Sequence, residues 1–135
     1  MEGLYIVHVD DDKDDAQWLT ENFSLYSSIA VLNFPDAKSF INFSSNCTDK
    51  NPPCLFVVDL KLPDLRGLEL VKKIKANALF DKIPIVVYTT SYSPAEKANC
   101  EKLNIELFKK PNSVQEWGSI CKIMANRCKP SLINS

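Results

Sequence analysis

The sequence predicts an α/β fold: a doubly wound, five-stranded parallel sheet with helices on both faces. Three observations carry that expectation. Short apolar runs without polar alternation recur along the chain, Leu55 to Val58 being the clearest, and such runs suit strands buried on both faces of a parallel sheet. Segments with apolar residues at helical spacing lie between them. Charged and hydroxyl residues gather where the apolar runs end, Asp59 foremost, and the carboxyl edge of an open α/β sheet is where ligands bind.

Residues 4–9, Leu-Tyr-Ile-Val-His-Val, read as a buried first strand running into Asp10-Asp11-Asp12. A helix follows from about Lys13 to Leu25. Asp12 is placed to cap it, and Asp14 and Asp15 sit in its first turn, where the helix dipole favours acids. Ala16, Leu19, Thr20 and Phe23 form its inner stripe. Ile29 to Phe34 is a second strand, and Pro35-Asp36 opens a helix to about Ser44. Residues 45–53 form a polar loop ending in Pro-Pro, too short to separate domains.

Cys54 to Asp59 is the third strand. Pro63 and Gly67 break regularity before a helix from Gly67 to about Ala78, with Leu68, Val71, Ile74 and Ala78 on one face. Pro84 to Thr89 is the fourth strand. Ser93-Pro94-Ala95-Glu96 joins an N-cap serine, proline at N1 and glutamate at N3, so a helix starts there and runs to about Leu103. Ile105 to Lys109 is a short fifth strand. Ser113-Val-Gln-Glu116 is a second capping box, opening a last helix to about Cys128. Val114, Trp117, Cys121, Met124 and Cys128 recur on its core face. Residues 1–129 then make one domain and 130–135 a tail. The alternation implies right-handed crossovers and the strand order 2-1-3-4-5 of flavodoxin-like folds.

The bulk properties narrow the function. A chain of 135 residues can bury one proper core. Its net charge of −1 lacks the basic surplus that nucleic-acid binding needs. No apolar run approaches the roughly 20 residues of a membrane span, and Met-Glu-Gly-Leu-Tyr has no basic n-region, so neither a membrane anchor nor a signal peptide is expected. Five cysteines, an odd number without a C-x-x-C pair, argue against structural zinc and a disulfide framework; reduced thiols and a cytoplasmic location are expected.

In the predicted strand order the carboxyl ends of strands one, three, four and five are neighbours. They bring together Asp10 and Asp11, Asp59, Thr89 and Thr90, and Lys110. Clustered carboxylates are costly unless a cation joins them. Lys110 supplies one charge, and Mg2+ is the natural second, since it takes a few carboxylate oxygens and keeps several waters. Such a site suits phosphoryl transfer to an aspartate, with Thr89 donating to a transferring oxygen.

With these residues in place, the sequence resembles the receiver domain of a two-component response regulator over essentially its whole length. The motifs are Val9-Asp10-Asp11-Asp12, Asp59-Leu-Lys-Leu-Pro63 with Gly67, Ile83-Pro84 through Thr89-Thr90, and Lys109-Lys110-Pro111. The resemblance implies that Asp59 is the phosphoacceptor. It implies that Asp11, Asp59 and the backbone carbonyl of Lys61 bind Mg2+, with Asp10 holding a metal-bound water. Thr89 is then the switch hydroxyl, and Lys110 pairs with the phosphoryl group. A sensor histidine kinase or phosphotransfer protein is the expected donor. With no output domain after the last helix, a downstream target protein or onward phosphotransfer is the expected output, and homodimerisation on phosphorylation is left open. The chain is expected to be a signalling protein that catalyses its own phosphoryl chemistry, not an enzyme acting on others.

Other residues read more plainly. Asp12 is a helix cap, Asp64 a turn acid and His8 a satisfied histidine. Lys109 should alternate onto a solvated face. The Lys61 side chain has two equal readings, toward the phosphoryl site or toward solvent. Thr90, where the family often has a smaller residue, should narrow access and slow hydrolysis. Leu107 stands three residues before Lys110, where many receivers carry an aromatic switch residue, and Phe108 should face the other way. The signal from Thr89 should therefore leave by another packing change. A receiver-like binding module that is never phosphorylated is the main alternative, opposed by the intact set Asp10, Asp11, Asp59, Thr89 and Lys110. An aspartate phosphatase would want an acid where Lys61 stands. A flavodoxin would want a phosphate loop where three acids follow strand one.

Overall fold

The computed structural model describes residues 4–25, 29–48 and 50–128. Five strands alternate with five helices: β1 (Leu4–Val9), α1 (Lys13–Phe23), β2 (Ile29–Phe34), α2 (Ala37–Ser44), β3 (Leu55–Asp59), α3 (Gly67–Ala76), β4 (Ile85–Thr89), α4 (Pro94–Lys102), β5 (Glu106–Lys109) and α5 (Val114–Cys128). The sheet is parallel, in the expected order β2-β1-β3-β4-β5.

Alternation along the strands divides the core in two. Tyr5, Val7, Val9, Phe56, Val58 and Val87 meet Phe40 of α2 and Leu70, Val71 and Ile74 of α3. On the other face Ile6, Leu55, Val57, Val86 and Tyr88 meet Leu19 and Phe23 of α1 and Trp117, Cys121 and Met124 of α5. Leu107 packs with the first cluster and Phe108 with the second, so the two do face opposite ways. β3 is buried at every position, which seats Asp59 at the end of the sheet's central strand.

Capping chemistry sets most helix starts. The Asp12 carboxylate accepts the N–H groups of Asp14 and Asp15, and Asp36 accepts that of Ser39. Both halves of the Ser93/Glu96 box form; at the start of α5 only one half of the expected box does, Ser113 Oγ accepting the Glu116 N–H, while the Glu116 carboxylate accepts the Asn112 N–H instead of that of Ser113.

Several expectations need correction. α1 stops at Phe23, where the N–H and hydroxyl of Ser24 both bond the Glu21 carbonyl; Leu25 lies beyond it, 81% exposed. Thr20 is exposed, not part of a buried stripe. α3 ends at Ala76 because the Asn77 side chain accepts the Leu79 N–H and starts a turn. Ala78 is therefore exposed, and Leu70 completes the buried stripe. Val114, at the first turn of α5, is 61% exposed. The expectation of reduced thiols fails for one pair: Cys54 and Cys128 form a disulfide, 74 residues apart. No local motif announces it. Only the packing of the end of α5 beside the start of β3 brings their Cα atoms within 4.8 Å, inside disulfide range. Cys47, Cys100 and Cys121 are free thiols. The expected tail, 130–135, and Lys129 lie outside the described residues.

Candidate functional site

The carboxyl ends of β1, β3, β4 and β5 deliver the expected residues to one place. Asp10 follows β1 and is 4% exposed; its Oδ1 accepts the Asp12 N–H at 2.9 Å. Asp59 closes β3; its Oδ1 accepts the Lys61 N–H at 3.1 Å. Gly67 lets α3 approach that corner. Its N–H bonds the Leu60 carbonyl at 2.9 Å, and a Cβ there would collide with the Asp59 carbonyl oxygen. Thr89 closes β4, fully buried, and its hydroxyl donates to the Ser91 carbonyl at 3.0 Å. The Lys110 N–H bonds the Thr89 carbonyl at 2.8 Å, which fixes where the lysine leaves β5.

The Lys110 ammonium lies 3.1 Å from Asp10, 2.6 Å from Asp15 and 2.9 Å from Asp59. Asp10, Asp11 and Asp59 each offer a carboxylate oxygen, all within 4.8 Å of one another, an arrangement able to hold a metal ion. Asp11 is the exposed member and stands at the mouth. Four carboxylates thus gather at the site, and three of them contact the Lys110 ammonium.

The electrostatics record that imbalance. Burial pulls the Lys110 ammonium down, but its bonds to Asp15 and Asp59 outweigh this and hold it above the ordinary lysine value. Burial would raise Asp10, yet the neighbouring His8 ring, hydrogen bonds from the Tyr88 hydroxyl and the Asp12 amide, and the charge of Lys110 hold it well below the usual carboxylate range. Asp59 goes the other way. Burial and the charge of Asp10 raise its carboxyl more than Lys110 and the Lys61 amide lower it. Asp15 is raised for the same reason, burial foremost. One lysine does not offset the cluster, and hard oxygen donors at this spacing fit a divalent cation such as Mg2+.

Asp12, His8 and Lys109 stand as expected. Asp12 is a cap. His8 is satisfied, with Nδ1 2.7 Å from Asn33 Oδ1 and Nε2 against the Tyr88 hydroxyl. Lys109 is exposed, its ammonium 5.9 Å above the Tyr92 ring. Thr90 is exposed beside Lys110 and Pro111. For Lys61 the structure selects a third arrangement: the ammonium donates to Ser91 Oγ at 2.8 Å and straps the β3–α3 loop to the β4–α4 loop. Asp64 is more than a turn acid. Its two oxygens accept the N–H groups of Ala37 and Lys38, at 3.0 and 2.8 Å, capping α2 from another loop.

Two site residues were not anticipated. In the first turn of α1 Asp15 reads only as a dipole acid, and its ion pair with Lys110 forms only in the folded chain. Tyr88 reads as part of an apolar strand, but its hydroxyl donates to Asp10 Oδ2 across the sheet. No sequence signal pointed to that bond, which depends on strand register.

Fold and site together define a doubly wound α/β protein with an acidic pocket, able to hold a cation, at the carboxyl edge of its sheet. Residues 6–117 match the response regulator receiver domain family, and the chain belongs to it, a domain of two-component signalling. Among relatives, it is 27% identical over 124 residues to the two-component response regulator ARR8 of Arabidopsis thaliana, covering 80% of this chain and 55% of that one. It is 33% identical over 51 residues to the chemotaxis protein CheY1 of Helicobacter pylori, covering 38% and 41%. The chain thus spans about half the length of these curated relatives. Its fold matches the phosphorylated cyanobacterial phytochrome response regulator RcpA, with a TM-score of 0.79, 22% identity and 92% of each chain covered. It also matches the Mn(2+)-bound form of response regulator Rcp1, with a TM-score of 0.75, 24% identity and coverage of 91% and 92%.

Proposed function

We propose that the chain accepts a phosphoryl group on Asp59 from a phosphohistidine, presented by a sensor histidine kinase or a phosphotransfer protein. The observation that carries this reading is the Lys110 ammonium, 2.9 Å from Asp59 Oδ2, beside three carboxylates spaced for a cation. An Asp59 oxygen attacks phosphorus in line, the P–N bond breaks, and the imidazole leaves with the electron pair and takes a proton from solvent. Lys110 is already placed to meet a phosphoryl oxygen. Asp11, Asp59 and the Lys61 carbonyl would hold Mg2+, with Asp10 acting through a water, and the ion would supply charge against the equatorial oxygens.

The switch follows from the bond Thr89 now makes. To donate to a phosphoryl oxygen, its hydroxyl must leave the Ser91 carbonyl. Ser91 is also the acceptor of the Lys61 strap, so both loops respond together. With Leu107 in place of an aromatic rotamer, this loop movement transmits the state to a downstream target protein or a second copy of the chain. The protein acts in signalling, in the cytoplasm where such kinases present phosphohistidine, and not as an enzyme on other substrates. The Cys54–Cys128 disulfide removes reduced thiols as an argument for that location.

Intact mass after incubation with acetyl phosphate tests the reading. One phosphoryl group should appear with Mg2+, be absent without it, and be absent in Asp59→Asn. No gain in the wild type under any condition would favour the unphosphorylated binding module instead.

A further inference from the structure

Tyr88 is fully buried, edge-on to Trp117 at 6.2 Å, on the α1/α5 side of the sheet. A phenylalanine would fill that packing. The hydroxyl instead reaches the acidic site, where it donates to Asp10 Oδ2 at 2.5 Å. We propose that Tyr88, backed by His8, is a positioning residue for Asp10, holding this carboxylate in the orientation that receives the divalent cation. The inference rests on the Mg2+ reading above.

The hydrogen-bond inventory sets the direction of the relay. A tyrosine hydroxyl has one proton to give. The Tyr88 hydroxyl gives it to Asp10 Oδ2, so its oxygen accepts from its other neighbour, His8 Nε2. Were Nε2 an acceptor, one of the two short contacts at Tyr88 would oppose two lone pairs in a buried site. His8 is oriented in turn by Asn33, whose amide also reaches Thr20 Oγ1 at 2.9 Å. These contacts link α1 and β2, through β1 and β4, to the pocket.

The result is an Asp10 carboxylate with both oxygens committed. Oδ1 accepts the Asp12 N–H, and Oδ2 accepts Tyr88 and approaches Lys110. Donors from three separate parts of the chain prevent the group from turning. Groups that orient metal-binding side chains in this way typically contribute about 10- to 100-fold to metal affinity. Core packing alone explains the ring of Tyr88 but gives no reason for its oxygen.

The test is calorimetric titration of the full chain with Mg2+, alongside thermal melting without the ion. Tyr88→Phe keeps the ring and removes only the hydroxyl, and should weaken Mg2+ binding roughly tenfold or more. His8→Leu should weaken it in the same direction, and His8→Gln, whose amide restores a donor near the Nε2 position, should recover most of the loss. A purely structural role would lower the melting temperature of these variants with no such split in Mg2+ affinity. Tyr88→Phe and His8→Leu binding Mg2+ within about twofold of wild type would overturn the inference and leave the phosphoacceptor reading intact. A wild type that binds no Mg2+ would overturn both. The His8 pair keeps the test decisive if Tyr88→Phe does not fold.

Discussion

Lys110 Nζ lies 2.6 Å from Asp15 Oδ2, closer than it comes to Asp10 or Asp59. The lysine expected to serve the phosphoryl group is thus shared with an acid of α1 that has no other ion pair among the described residues. Asp15 competes for Lys110, and it adds negative charge near the incoming anion. Asp15→Asn should therefore tighten binding of a phosphoryl analogue such as beryllofluoride, by roughly tenfold if one unit charge acts over several ångströms in a half-wet site. Fluorescence titration with Mg2+ present measures it. Weaker binding would instead make Asp15 the group that holds Lys110 in place.

Gly67→Ala should damage the acceptor corner from a distance in sequence. Its Cβ would meet the Asp59 carbonyl oxygen and stand 2.7 Å from Leu60 Cα, backbone atoms that cannot swing aside. Overpacking of this kind typically costs about 1–3 kcal/mol. Urea unfolding should show that loss together with slower phosphorylation of Asp59. A variant as stable as wild type would mean that β3 and α3 can separate freely.

Asp64 should contribute a pH-dependent cap. Slight burial raises its carboxyl, but the amides of Ala37 and Lys38 outweigh this and hold it below its ordinary value. A depressed carboxyl stabilises the fold when ionised, so its contribution is full above about pH 4, the unfolded value, and is lost as pH falls through the lower folded value. Asp64→Ala should cost about 1 kcal/mol at pH 7, as cap removals do. That difference should shrink in melts carried below pH 4.

The disulfide should be a measurable part of the stability. Closing a loop between Cys54 and Cys128, 74 residues apart, is worth up to about 4 kcal/mol on loop-entropy grounds. Unfolding midpoints with and without reductant should differ accordingly. Alkylation of the denatured, unreduced chain should label only Cys47, Cys100 and Cys121. Labelling of Cys54 or Cys128 would refute the pairing.

Thr90→Ala should release phosphate faster, since the exposed Thr90 directly follows Thr89 and lines a surface cavity together with Lys110. Decay of the phosphorylated mass over time reads this directly. An unchanged rate would show that Thr90 does not screen the acyl phosphate from water.

The strands, most helix starts and the five site residues Asp10, Asp11, Asp59, Thr89 and Lys110 were legible in the chain. Each is announced locally: by an apolar run, by a capping pair such as Ser93 and Glu96, or by a polar residue where a run stops. Strand order followed from the alternation of elements, because right-handed crossovers leave few arrangements. Helix ends were less legible. Ala78 falls outside α3 because the Asn77 side chain offers the backbone a competing turn, and nothing in the apolar spacing shows that.

What only tertiary structure decided is the set of partners around those residues. Asp64 reaches α2 from another loop, Lys61 ties itself to Ser91, and Cys54 meets Cys128. Tyr88 stands beside Asp59 in the β3/β4 register, yet its hydroxyl serves Asp10, two strands away. The physical reason is range. Burial, capping and strand endings are set by neighbours along the chain and so can be read from it. A hydrogen bond between residues 78 positions apart exists only once register and helix packing have brought them together.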